Sequence, residues 1–321
     1  MPMNRIQFQR GMSLAKFYAQ YGTEQQCEAA LEKIRWPNGF HCPRCGHAAY
    51  TRVAQGKQRL YQCRDCHHQT SLRVDTVFQS SKLPLTVWFL AIYLLTQSKN
   101  NIAALELMRS LGVSYKTAWR VKQKLMWVMS ERESERVLTE RVEVDDAYLG
   151  GARSGKRGRG AAGKVPMVIG VETHVDEETG EAHPWFVRLD PLPGFQKKVL
   201  VEWAEKALDP ESLLVSDGLA CFVAAGELVN HHEQVVVGKR KSSELACFQW
   251  VNTLLSNLKS AIQGTYHGFK FHKYAKRYLG EVQYRFNRRF DLPSMVPRLL
   301  YACVQASPQT ERQLRLAELC T

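Results

Sequence analysis

Acidic residues are scarce in this sequence: 31 Asp and Glu stand against 44 Lys and Arg, leaving a net charge of +13 over 321 residues. That deficit calls for an anionic partner, either nucleic acid or an anionic membrane surface. Long apolar runs are missing as well. The most apolar stretch, "LPLTVWFLAIYLLTQ" (83–97), is too short to span a bilayer and runs into polar sequence. The first residues, "MPMNRIQFQRGMSLAKF", have bases but no apolar core of a secretory signal. No membrane association is therefore expected, and nucleic acid is the expected partner. A balanced disulfide set is lacking too, since nine cysteines is an odd number. Without a signal peptide, this points to a reducing cytoplasm.

Neither internal repeats nor long low-complexity tracts occur, and the chain is long enough for two or three domains with a buried core. Residues 1–36 have helical apolar spacing, halted by "PNG" at 37–39. Residues 37–80 hold short β-prone runs between cysteine pairs. Residues 81–132 turn helical again, interrupted at "SKNN" (98–101) and "LGVS" (111–114). From 138 to 305 the composition is that of an α/β domain: "VEVDDAYLGG", "VPMVIGVETHV" and "HPWFVRL" read as strands, "KKVLVEWAEKAL" as a helix and "SLLVSDG" as a fourth strand, followed by further helix. Residues 306–321 read as a C-terminal tail.

Cysteines 42, 45, 63 and 66 form two C-x2-C pairs, "CPRC" and "CRDC", with seventeen residues between them. Two such knuckles complete a tetrahedral zinc site, and four thiolates leave no open position, so Cys42, Cys45, Cys63 and Cys66 are expected to bind a structural zinc. The neighbouring His41, His47, His67 and His68 are read as surface or phosphate-contacting residues rather than ligands. In "NIAALELMRSLGVSYKTAWRVKQKLMWVM" (101–129), Gly112 suits the turn of a helix-turn-helix and Ser114 the N-cap of its second helix. Tyr115, Lys116, Thr117, Arg120, Lys122 and Lys124 would then face a major groove, while Ala103, Leu107, Val113, Ala118 and Val121 pack inward.

Asp145 and Asp217 each read as lying at the end of an apolar strand, where an α/β sheet opens onto a cleft, and their hard oxygens suit a pair of magnesium ions. Asn252 follows Asp217 by thirty-five residues, and Lys259 follows Asn252 by seven. Seven helical residues leave two side chains roughly 20° apart around the axis and about 10 Å apart along it. Asn252 would then face the metals and Lys259 a phosphate of a nucleic-acid strand bound there. The "RSGKRGRG" segment, with Arg153, Lys156, Arg157 and Arg159, follows the first catalytic strand and is read as contacting DNA backbone. Arg285, Arg288 and Arg289, in an aromatic-rich basic stretch, are read as facing phosphates.

Together the zinc ribbon, the helix-turn-helix, "VEVDDAYLGG", "WVNTLLSNLKSAIQGTYHG" and "YRFNRRFDL" resemble the bacterial insertion-sequence transposases related to the Merlin group. The resemblance spans about residues 20–300 and implies a ribonuclease-H-like catalytic fold, element-end recognition and magnesium- or manganese-dependent phosphoryl transfer. Asp145, Asp217, Asn252 and Lys259 fall on the family's catalytic positions, with Asp145, Asp217 and Asn252 as magnesium ligands. Two departures stand out: Asp146 occupies a position that is often Glu, and Asn252 one that is Glu in wider transposase classes. Glu244 and Glu281 are candidates to supply the missing charge. The reading implied is an enzyme that cleaves and joins the ends of a mobile element, acting on double-stranded DNA as an end-pairing homo-oligomer in the bacterial cytoplasm, at the nucleoid. The alternative is a sequence-specific DNA-binding regulator derived from an inactive transposase. The retained Asp–Asp–Asn–Lys spacing favours the enzyme, because a pure binder has no need of it.

Overall fold

The computed structural model describes residues 6, 8–55, 58–150, 163–178, 180–236, 245–266 and 268–316. It divides into two compact units. The first comprises Met1–Val128 and Phe290–Leu314, and the second Met129–Arg289 and Arg315–Thr321.

The first unit opens with helices α1 (Leu14–Tyr21) and α2 (Glu24–Arg35). Thr23 starts α2 with a reciprocal capping box to Gln26, which satisfies backbone donors that a helix start leaves open. Three antiparallel strands follow in the order β1-β2-β3 (Tyr50–Gln55, Gln58–Cys63, Gln69–Ser71). Helices α3 (Leu85–Gln97), α4 (Ala104–Leu111) and α5 (Tyr115–Ser134) come next. The apolar 83–97 run thus becomes a buried core helix, and among the described residues no helix is long and apolar enough to cross a membrane. The Glu24 carboxylate accepts from Leu85 N and Thr86 N, capping α3 from a distant helix. Residues Phe290–Leu314 belong with the first unit. There α10 (Met295–Gln305) packs its buried Val296, Leu299, Leu300 and Cys303 with α2 and α3, ahead of the short α11 (Glu311–Arg315).

The second unit is an α/β domain with a five-stranded sheet in the order β6-β5-β4-β7-β8. Strands β4 (Arg141–Leu149), β5 (Val165–Val175) and β6 (Ala182–Pro191) form an antiparallel meander. Helix α6 (Lys197–Ala207) crosses to β7 (Leu213–Asp217), which lies parallel to β4, and α7 (Ala220–Gly226) leads to β8 (His231–Val235), parallel to β7. This arrangement is that of a ribonuclease-H-like sheet. Both faces are covered. Helices α8 (Gln249–Tyr266) and α9 (Phe271–Asn287) pack on one through Val251, Leu255, Leu258, Ile262 and Leu279. On the other, α6 and α7 pack through Leu200, Trp203, Cys221 and Phe222. The sequence gives no sign of β8, because "HHEQV" has no apolar alternation. It is an edge strand with no fully buried residue, so no apolar signal is required of it.

The opposite edge strand, β6, is closed by side chains of α9. Asn287 accepts from Val187 N at 2.8 Å and donates to Val187 O at 2.9 Å, while Gln283 accepts from Leu189 N at 3.0 Å. Four helical residues rise about 6 Å and two strand residues about 6.7 Å, so an i, i+4 pair on a helix matches an i, i+2 pair on a strand. The amide side chains thereby stand in for the missing neighbour strand, and Arg289 continues the row to the carbonyls of Trp185 and Pro184. Replacing Asn287 by Leu leaves Val187's N–H and C=O, and the Glu133 carboxylate that Asn287 also contacts, without this partner. Urea unfolding is expected to show a loss of about 3 kcal/mol or more.

Candidate active site

Strands β4 and β7 are neighbouring and parallel, and their register ends with Val144 opposite Ser216. The next residue on each is an aspartate, so Asp145 and Asp217 emerge at the same level where the ladder stops. Asp145 Oδ1 accepts from Asp146 N at 2.8 Å and Asp217 Oδ1 from Leu219 N at 3.0 Å, so the backbone holds one oxygen of each. One carboxylate oxygen each from Asp145, Asp146 and Asp217 lie within 4.8 Å of one another, and all three residues are half-buried. Such a concentration of negative charge is the arrangement by which hard divalent cations are held.

Asp146 is the ligand candidate that sequence reasoning misses, marking it only as a departure from Glu. Adjacent strand residues point to opposite faces, which argues against pairing Asp145 with Asp146 in one site. The β4–β7 ladder ends at Val144, however, and beyond it one oxygen of each carboxylate lies within 4.8 Å of one of Asp217. Cys221, at the start of α7, lies close enough that Asp146 and Asp217 add to the effect of burial in pushing its thiol pKa up.

The third expected position, Asn252, is half-buried in the first turn of α8. Its Nδ2 donates to Phe248 O at 2.8 Å. Lys259 is exposed two turns further along the same helix. Glu281 is not part of the acidic cluster: it is fully buried on α9, where Oε2 accepts from Tyr266 OH at 2.8 Å. Glu244 and the loop residues Arg153, Lys156, Arg157 and Arg159 lie outside the described residues.

The four cysteines of the ribbon come together as expected, with Sγ atoms mutually within 4.8 Å and the Cys42–Cys66 and Cys45–Cys63 pairs at 3.5 Å. The two knuckles repeat each other. Cys42 N donates to His47 O at 3.0 Å, and Cys63 N to His68 O at 2.9 Å. Gly46 takes the left-handed conformation each knuckle needs (φ 77°), and His67 takes it in the second (φ 57°), where a side chain is tolerated at some strain. With four converging sulfurs and no room in an all-cysteine set for a solvent ligand, the donors fit a structural zinc.

At the expected helix-turn-helix, α4 and α5 flank Gly112. Gly112 closes α4 in the left-handed conformation (φ 64°), and Ser114 Oγ caps α5 through Thr117 N at 3.3 Å. Tyr115, Lys116 and Arg120 are exposed and Thr117 partly so, while Leu107, Ala118 and Val121 are buried. Lys116 and Arg120 both pair with Glu311, at 3.6 and 3.3 Å. Two neighbouring bases do not face outward. Lys122 lies one turn after Ala118 on the packing face and is buried. Lys124 turns inward to Val77 O at 2.8 Å, over the Trp88 ring, and burial lowers its pKa. Arg285 on α9, and Arg288 and Arg289 just after it, likewise have partners within the protein. Arg288 pairs with the buried Glu133 and stacks on Tyr284, and Arg289 holds β6 carbonyls. Arg285 sits beside Glu281 with its pKa lowered by burial. A long side chain with one charge at its tip gives sequence patterning no means of telling an inward from an outward guanidinium.

Comparison with known proteins agrees with this architecture. Residues 22–69 match the family described as "Transposase zinc-ribbon domain", and residues 137–287 that described as "ISXO2-like transposase domain". The second match takes in Asp145, Asp217, Asn252 and Lys259. A protein of Halobacterium salinarum, described as an uncharacterized protein in transposable element ISH50, is 31% identical over 179 residues. That similarity spans 50% of this chain and 58% of the haloarchaeal protein. A segment matching a transposase zinc ribbon thus stands ahead of one matching a transposase domain on a ribonuclease-H-like sheet, and over these segments the chain is similar to insertion-sequence transposases.

Proposed function

We propose that the protein binds the terminal inverted repeats of an insertion sequence and catalyses divalent-metal-dependent cleavage and joining of DNA strands. The observation that carries this reading is the convergence of Asp145, Asp146 and Asp217 where the β4–β7 ladder ends, inside the segment that matches a transposase domain. Three carboxylates brought together repel one another, and a pure DNA binder gains nothing from that. Asp145 and Asp217, with Asp146 and the Asn252 amide oxygen, would hold magnesium or manganese. Bound there, the metal supplies Lewis acidity toward a phosphate and lowers the pKa of the attacking water or 3′-hydroxyl. The protein's own share is positioning: Asp145 and Asp217 are fixed by backbone N–H groups, and the exposed Lys259 on α8 would neutralise a phosphate of the bound DNA strand. No covalent enzyme intermediate is required.

Recognition of double-stranded DNA falls in this reading to the zinc ribbon and the exposed start of α5, and pairing of two ends to a homo-oligomer. The test is incubation of the full chain with magnesium and duplexes carrying the inverted repeats that border its gene, with cleaved and joined products resolved under denaturing conditions. Lys116→Ala with Arg120→Ala is expected to weaken duplex binding and to lower the salt slope by about 2, one per lost phosphate contact. An unchanged slope, measured by titration at several salt concentrations, would remove α5 from the interface.

A further inference from the structure

Helix α8 has no acidic residue in its first turn, and Phe248, immediately before it, has no side chain able to cap it. Its open N–H groups are met from the sheet instead. Glu143 Oε2 accepts from both Trp250 N and Val251 N at 3.0 Å. Its other oxygen accepts from Arg141 Nη1 at 2.9 Å, and Arg141 Nη2 reaches on to Cys247 O at 3.1 Å. Glu143 is fully buried, and burial raises its pKa against the opposing pull of these donors. A carboxylate there also complements the positive end of the helix dipole.

The position of this clamp matters more than its strength. Glu143 and Asp145 are two apart on β4 and therefore point to the same face, about 6.7 Å apart along the strand. Val251 immediately precedes Asn252. One side chain thus ties the strand bearing the first aspartate to the turn bearing the amide ligand, and sets the register of α8 against β4.

We propose that Glu143, supported by Arg141, is a positioning residue of the catalytic site, fixing Asn252 and Lys259 relative to Asp145. This inference rests on the proposed phosphoryl-transfer reading. Glu143→Gln keeps the size of the side chain but replaces one acceptor oxygen by a donor, so it cannot serve both Arg141 and the helix. Outer residues that orient metal ligands typically contribute 10–100-fold, and turnover in Glu143→Gln is expected to fall by about that factor. The magnesium concentration for half-maximal cleavage should rise in parallel, while the KM for the duplex stays unchanged. A role in stability alone would lower the melting temperature and leave the magnesium midpoint and the turnover per folded molecule where they were; that result overturns the proposal. Should Glu143→Gln fail to fold, Arg141→Lys, at a partly exposed position, loosens the same clamp and is read by the same two quantities. Asp145→Ala runs alongside: if it keeps cleavage activity, the catalytic site itself is misassigned and the inference falls with it. If it is inactive while Glu143→Gln and Arg141→Lys match the wild type, only the inference falls.

Discussion

Asp145→Asn and Asp217→Asn should each abolish cleavage and joining of element ends, with a loss on the order of 10³-fold or more, while making the metal-free protein no less stable. A thousandfold corresponds to about 4 kcal/mol of lost transition-state stabilisation. That is a reasonable cost for removing one of the carboxylates that would hold a catalytic metal, because the neutral amide is a weaker ligand and leaves the developing charge less well balanced. The stability half of the prediction follows from electrostatics. Three carboxylate oxygens lie within 4.8 Å of one another, and two unit charges at that distance repel by about 3 kcal/mol at a surface-like dielectric, before screening by salt. Removing one charge relieves part of that repulsion. Melting temperatures without metal should therefore stay level or rise in both variants, and added magnesium or manganese should stabilise the wild type more than either. Asp146→Asn separates the roles within the cluster. If Asp146 is a ligand, its variant shares the higher metal requirement; if it only contributes field, activity survives and only the metal-free melting temperature moves. Loss of activity with intact duplex binding is what distinguishes this site from a structural acidic cluster.

How much of this is legible in the sequence follows a physical line. The cysteine pairs, the Ser114 cap and Gly112 are local signals, decided within a few residues, and the structure places all of them as the spacing implies. Asp217 is readable because it ends an apolar strand; Asp145 follows the apolar start of β4, but that strand runs on to Leu149 and only its pairing with β7 stops at Val144. Long-range side-chain partnerships are not readable. Gln283 and Leu189 are 94 residues apart, and Glu143 and Val251 are 108, so nothing local in either sequence announces the bond. The same blindness explains why Arg288, Arg289 and Lys124 read as DNA contacts: their destinations are buried carboxylates and carbonyls on other elements. Basic residues near an aromatic run are consistent with phosphate binding and with an edge-capping row alike, and only the fold distinguishes them.

Substituting Cys63 by Ser should unfold the ribbon and leave the α/β unit standing. The ribbon has three short strands, and its apolar interior consists of little more than Phe40, Leu60, Tyr61 and Leu72. A module of that size cannot bury enough surface to offset its chain entropy unaided. In small zinc modules metal binding provides about 10–16 kcal/mol, which is folding energy outright. Cys63 is the completely buried ligand, so a serine there removes a thiolate donor and leaves a hydroxyl in a site built for sulfur. The expected result is loss of bound zinc by metal analysis, early proteolytic cleavage between residues 40 and 71, and loss of end binding. The sheet of the second unit has its own two cores, made without any ribbon residue, and should keep its protection from hydrogen exchange. Stripping zinc with a chelator should reproduce the variant, and restoring zinc should reverse it in the wild type alone. Because the thiolates must be deprotonated to bind, zinc should also be released as the pH falls, and end binding should be lost with it. A ribbon that stayed protease-resistant after zinc removal would show that the aromatic packing of Trp36, Phe40, Tyr50 and Tyr61 holds it without metal.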